Sequence, residues 1–230
     1  MLKRMLCYFT KSELMLWFGS VAVILSTFLV FDRSSWITLI ASLIGVTSLI
    51  FAAKGNPASQ VLMIFFAILY GIISWQFTYY GEMVTYVFMS LPMAVISLIS
   101  WLRNPYGDGR SQVKVNRLKR WEYVLAAVLS IAVTVVFYFI LRYFGTANLI
   151  PSTISVTTSF AAVYFTFRRS PLFAVCYAAN DAVLILLWTL AAIEDIRYVS
   201  VVACFLAFLA NDIYGFICWI KMSKKQSRNA

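Results

Sequence analysis

The sequence contains no histidine and only nine acidic residues in 230. Without imidazole it lacks the commonest metal ligand and the usual proton shuttle of catalysis. An H-E-x-x-H zinc site is excluded for the same reason. No G-x-x-x-x-G-K-[ST] loop occurs, so the chain has no phosphate cradle with which to drive pumping by ATP. Its four cysteines, Cys7, Cys176, Cys204 and Cys218, show no ligand spacing. They read as reduced, small apolar residues, and neither a metal nor another cofactor is expected. Charged residues make up only 12% of the chain, where soluble domains hold about a quarter. The N-terminus has a basic start and an apolar run but no small-x-small cleavage site, so it is not read as a secretory signal.

What the sequence does contain is apolar: 62% of its residues. Apolar runs recur at the length of about 20 residues that a spanning helix needs. The runs predict eight spans, at 13–31, 34–53, 59–79, 82–102, 121–145, 150–167, 171–192 and 196–220. With the N-terminus inside, sixteen of the nineteen basic residues fall in inner segments. Only Arg33, Arg142 and Arg197 fall outside. That asymmetry places both termini in the cytoplasm, and it accounts for the net charge of +10 without nucleic acid. No lysine lies within any span, which argues against a retinal Schiff base.

The two halves share landmarks. "KGNP" (Lys54–Pro57) opens span three and "RRSP" (Arg168–Pro171) opens span seven. Trp75 follows Pro57 by 18 residues and Trp188 follows Pro171 by 17; Glu82 and Asp195 each follow their tryptophan by seven. Spans four and eight end in "SWLR" and "CWIK". Four spans per unit give two parallel repeats, a plan that places a substrate site between the repeats near mid-membrane. The expected organisation is a first repeat over 1–102, a basic cytoplasmic linker over 103–120, a second repeat over 121–220 and a cytoplasmic tail over 221–230. The linker is read as attracted to anionic lipid, and Pro92 as a kink in span four.

Polar residues inside spans mark candidate sites, because a carboxylate at the centre of a spanning helix costs about 2.5–3.5 kcal/mol. "CYAANDAVLILLW" (Cys176–Trp188) carries Asn180 and Asp181; "FLANDIYGF" (Phe208–Phe216) carries Asn211 and Asp212. Tyr177, Asn180, Asp181, Leu184 and Trp188 share one helical face; Asn211, Tyr214, Gly215 and Cys218 share another, with Asp212 alongside. Interhelical hydrogen bonding is the plain alternative for both pairs. The first half offers Gln76 as a further candidate, with Tyr80 nearby. Ser90, Thr158 and Ser159 read as hydroxyls bonded back to their own helices. Trp36, Trp75, Trp101 and Trp219 fit an interfacial belt. Amides and carboxylates suit vicinal hydroxyls, and aromatic faces suit a flat cationic ring, so a nucleoside-like vitamin fits the set.

"NDAVLILLW" (Asn180–Trp188), "CFLAFLANDIYGFICW" (Cys204–Trp219), "SLPMAVISLISWLRNP" (Ser90–Pro105) and "VKVNRL" (Val113–Leu118) resemble the PnuC family of nicotinamide riboside transporters. The resemblance covers nearly the whole chain from about residue 13. It implies an all-α membrane protein related to the SWEET sugar transporters. Three-helix bundles 2–4 and 6–8 would be joined by span five, with span one as an addition. It further implies uptake of nicotinamide riboside by facilitated diffusion with alternating access, a homotrimer in a bacterial plasma membrane, and trapping by a separate cytoplasmic ribosylnicotinamide kinase. The family's site maps onto Asn180, Asn211 and Tyr214; Asp181, Tyr177 and Trp188 join it on the helical-face argument. Cys176 and Tyr177 stand where the family often has tryptophan, which leaves thiamine or riboflavin open as substrates. Proton coupling through Asp181 or Asp212 also stays open, as does a membrane-embedded enzyme using both carboxylates, although no enzymatic activity is expected.

Overall fold

The computed structural model describes residues 8–76, 80–107, 111–146 and 148–229, without the side chains of Tyr80 and Gly81. Lys3, Arg4, Cys7 and Arg110 therefore lie outside the described residues, as does the Tyr80 side chain. Eight helices are long and apolar enough to cross a membrane. They are α1 (Lys11–Phe31), α2 (Trp36–Ala53), α3 (Ala58–Gln76), α4, α5 (Arg120–Tyr143), α6 (Leu149–Phe167), α7 (Leu172–Glu194) and α8 (Val199–Arg228). Helix α4 combines Tyr80–Val84, a π-helical stretch Thr85–Ser90 and Leu91–Arg103. The widened turn ends two residues before Pro92, whose ring would press on the carbonyl four residues earlier and which has no N–H to donate. No strand occurs among the described residues, only an isolated bridge between Pro105 and Val113. Helix α8 runs on to Arg228, so most of the expected tail continues the last span.

Six helices close into a ring. Helix α2 packs on α3, α3 on α4, α4 on α6, α6 on α7, α7 on α8, and α8 returns to α2. Helix α1 lies outside against α2 and α8, and α5 lies outside against α6 and α4. Both outer helices expose large apolar residues, such as Met15 and Phe18 on α1 and Val136 and Phe139 on α5, which suits contact with lipid.

The ends of the two halves are built alike. Thr10 caps α1 in a capping box with Glu13, and Glu122 accepts from the Lys119 backbone N–H at the start of α5. Each glutamate also meets the cation that ends the next helix: Glu13 meets Lys54 at 3.1 Å, and Glu122 meets Arg168. Helices α2 and α6 both end in a left-handed residue, Gly55 (φ 65°) and Arg169 (φ 56°). Both ends close the same way, with Asn56 N–H on the Phe51 carbonyl and Ser170 N–H on the Phe165 carbonyl. Glu122→Gln should lower stability by about 1.5–3 kcal/mol, the usual worth of a hydrogen bond to a charged group. Thermal unfolding in detergent tests this, and an unchanged midpoint would show the pair contributes nothing.

The segment between α4 and α5 is a docked strap. Val113 is fully buried and donates its N–H to the Gly55 carbonyl at 2.9 Å. Asn116 donates to the Arg169 carbonyl at 3.0 Å. The Gln226 side chain accepts from Val115 N–H at 2.8 Å and donates to the Val113 carbonyl at 3.1 Å. Lys114, Arg117, Lys119 and Arg120 stay exposed, so docking does not consume the charge expected to face lipid headgroups.

Candidate functional site

Inside the ring lies a cavity of about 60 Å³. The α7 residues Tyr177, Asn180, Asp181 and Leu184 form one wall, and Ser159, Val163 and Thr166 of α6 adjoin them. Phe205, Phe208 and Asp212 come from α8, Phe66 and Met63 from α3, and Tyr86 and Ser90 from α4. Gly45 of α2 completes the wall. A methyl group there would sit 2.4 Å from Phe208 Cζ and 3.0 Å from Phe66 Cε2, so only glycine lets both rings close over the cavity.

Asn180 is held by a hydroxyl cradle. Its Oδ1 accepts from Ser155 at 3.1 Å, Thr158 at 2.9 Å and Ser159 at 3.0 Å. Thr158 also bonds back to its own helix, as expected, but Ser159 turns to Asn180 instead. With Oδ1 occupied, the amide N–H₂ is left to donate to whatever fills the cavity. Asp181 of α7 and Asp212 of α8, both buried, line the same cavity. No lysine or arginine is among the described residues that line the cavity.

The predicted site residues do not all meet here. Tyr177, Asn180 and Asp181 do. Asn211 faces α1 instead, donating to Ser20 Oγ at 2.9 Å and to the Ala207 carbonyl at 2.7 Å. Tyr214 turns the same way, beside Thr10 and Cys218. Helix α8 packs on α1 as well as on α7, and its α1 side receives the Asn211 face. Gln76 and Trp188 line a separate chamber of about 380 Å³ at the end of the bundle away from the strap. Asp32, Asp195, Arg197 and Tyr198 share that chamber. The Arg197 guanidinium, bonded to Asp195 at 2.6 Å, holds that carboxyl below its usual range.

Aromatic rings separate the two spaces. Tyr70 stacks on Tyr86 at 4.9 Å and on Phe66 at 4.9 Å, and Phe205 meets Phe208 at 5.7 Å. At the strap end, Trp101 and Trp219 stack at 5.5 Å, both fully buried. Trp101 donates to the Thr166 carbonyl of α6 at 2.9 Å, and Trp219 to the Ala52 carbonyl of α2 at 2.7 Å. These two are buried seals, not the interfacial belt expected of them.

Sequence reading missed the hydroxyl stripe of α6, whose Ser152, Ser155, Ser159 and Thr166 recur at helical spacing. It also placed Asp212 beside the site rather than in it, and it used Glu82 only as a repeat landmark.

Residues 35–221 match the model of a family described as nicotinamide mononucleotide transporter. A solved structure titled "Crystal structure of the Vitamin B3 transporter PnuC" superposes with a TM-score of 0.82 at 21% identity, covering 95% of this chain and 94% of that one. No protein of curated function matches the sequence.

Proposed function

Because the chain belongs to the nicotinamide mononucleotide transporter family, and is therefore a transporter and not an enzyme, we propose that it carries nicotinamide riboside across a bacterial plasma membrane. The observation that carries this reading is the pairing, in one cavity, of a cradled Asn180 amide with the buried carboxyl groups of Asp181 and Asp212. The amide donates to ribose hydroxyls, the rings of Tyr177, Tyr86 and Phe208 stack the pyridinium, and the carboxyl pair offsets its positive charge. A mononucleotide would bring a phosphate into a cavity that has carboxyl groups and no basic side chain. The riboside is therefore the favoured form of the vitamin.

Movement follows from the closed ends. The tryptophan pair seals one end and the tyrosine-phenylalanine barrier the other, so ligand enters and leaves only if the two three-helix rows rock against each other. The like neighbours of α1–α4 and α5–α8, and their matched ion pairs, support two parallel repeats that move as units. With the strap end cytoplasmic, as the basic residues suggest, uptake runs from the 380 Å³ chamber inward. Transport is by facilitated diffusion, the protein works as a homotrimer, and a cytoplasmic kinase traps the product. The two buried carboxyl groups in the cavity also give proton coupling a physical basis. Uptake that stops when the proton gradient is collapsed would establish it.

Calorimetric titration of the purified protein tests the substrate. Nicotinamide riboside should bind saturably, with nicotinamide mononucleotide, thiamine and riboflavin at least about tenfold weaker, the worth of one lost charged contact. Tighter binding of the mononucleotide would overturn the charge argument, and heat from thiamine alone would overturn the vitamin.

A further inference from the structure

Glu82 is the one carboxylate near the cavity that this scheme leaves without a task. It stands near the start of α4, in the half of the bundle away from the strap. Both its carboxylate oxygens are buried, and neither accepts a hydrogen bond among the described residues. They face a small pocket of about 30 Å³ lined by Thr85, Tyr86, Ser90, Ser155 and Ser159 and by apolar residues of α5, α6 and α7. No basic side chain is among the described residues that line that pocket. Tyr86, Ser90, Ser159 and Leu184 also line the central cavity, so the two spaces share a wall.

The position relative to the aromatic barrier is the informative part. Tyr86 lines the small pocket with Glu82 and the central cavity with Asp181, and its ring meets that of Tyr70 at 4.9 Å. Tyr70 in turn lines the outer chamber. The carboxylate thus shares a pocket with Tyr86, one of the two rings that a ligand must part when it moves from the outer chamber to the central cavity. An unpaired carboxylate inside a membrane protein is costly, and a positive charge beside it recovers part of that cost. Rings backed by a carboxylate hold a cationic ring better than a neutral ring of the same shape.

We propose that Glu82 is the charge-selecting residue of the passage between the two chambers, drawing a cationic ring across the Tyr70–Tyr86 barrier and disfavouring neutral ligands of the same shape. The inference rests on the nicotinamide riboside reading above. It adds a second point of selection, separate from the site at Asn180, which acts on the crossing rather than on the bound state.

The test compares two ligands that differ in charge and little in shape: nicotinamide riboside and its neutral 1,4-dihydro form. Uptake of each into proteoliposomes is measured for the wild type, Glu82→Gln and Glu82→Asp. Glu82→Gln should reduce kcat/KM for the cation roughly tenfold while changing the neutral form by less than about twofold. Glu82→Asp, which keeps the charge, should restore a good part of the preference. Equal losses for both ligands would make Glu82 a structural residue and overturn the proposal, as would an unchanged ratio in a well-folded variant. If wild-type protein neither binds nor transports the cationic riboside, the substrate reading itself fails, an outcome separate from an unchanged ratio.

Discussion

Asn180→Ala removes uptake by about a hundredfold or more while the protein still inserts and purifies as a single species. The expectation follows from how the amide is held. Three α6 hydroxyls, from Ser155, Thr158 and Ser159, converge on its Oδ1. Such a cradle fixes the orientation of the group before ligand arrives, which is where a polar binding site gains selectivity. Removing the amide takes away the donor facing the cavity and leaves three hydroxyls to find other acceptors. Thr158 already bonds the Ile154 and Ser155 carbonyls, so its loss is partly covered. The cost to folding is therefore about 1–3 kcal/mol, and the cost to function is larger. Asn211→Ala provides the contrast. Its amide ties α8 to Ser20 of α1 and never reaches the cavity. That variant should lose stability and keep uptake. Proteoliposome uptake read beside thermal unfolding separates the two, and wild-type uptake by Asn180→Ala would remove that residue from the site.

The largest effect on stability falls on the tryptophan pair. Trp101→Ala or Trp219→Ala should each cost about 3–5 kcal/mol, the range for deleting a buried aromatic side chain. Each indole is fully buried, and each donates its N–H to a carbonyl within the last turns of α2 or α6, a bond the mutation removes while the Gly55 and Arg169 N–H groups still serve those carbonyls. Because the rings stack on each other at 5.5 Å, the double variant should lose less than the sum of the two. Phenylalanine at either position separates the contributions, since it keeps most of the ring and removes the donor. The variants are read by thermal unfolding in detergent. A loss below about 1 kcal/mol would mean that the strap end is held elsewhere.

Much of this architecture is written in the sequence because lipid leaves few alternatives. A run of apolar residues in a bilayer must be a helix, so the spans could be counted. The landmarks Pro57 and Pro171, and Trp101 and Trp219, showed where the two halves correspond. The left-handed turn just before each proline is the physical reason the motifs "KGNP" and "RRSP" persist at both places. The orientation of α8 was not legible. Asn211 and Asp212 are adjacent and point about 100° apart on a helix, and both sides of α8 meet protein. Nothing in the spacing says which side meets the cavity. In a soluble helix the polar face marks itself by facing water, but a helix packed on two sides lacks that reference. The depth of Trp188 was similarly hidden. It lies on the Tyr177 face, yet about three helical turns carry it out of the cavity and into the outer chamber.

The strap has a consequence for the order in which the chain is made. Its first anchor, Val113 to Gly55, joins residues of the leading half and is available before any of the trailing half exists. Its second, Asn116 to Arg169, has to wait for α6. Its last partner, Gln226, lies 111 and 113 residues beyond the two positions it binds, at the very end of α8. Synthesis from the N-terminus therefore closes this face in sequence, with the Gln226 hydrogen bonds formed only once α8 has been made. A chain cut just before Gln226 would keep the apolar spans and yet leave the Val113 carbonyl and the Val115 amide without these partners, so the strap reads whether the far end of α8 is in place.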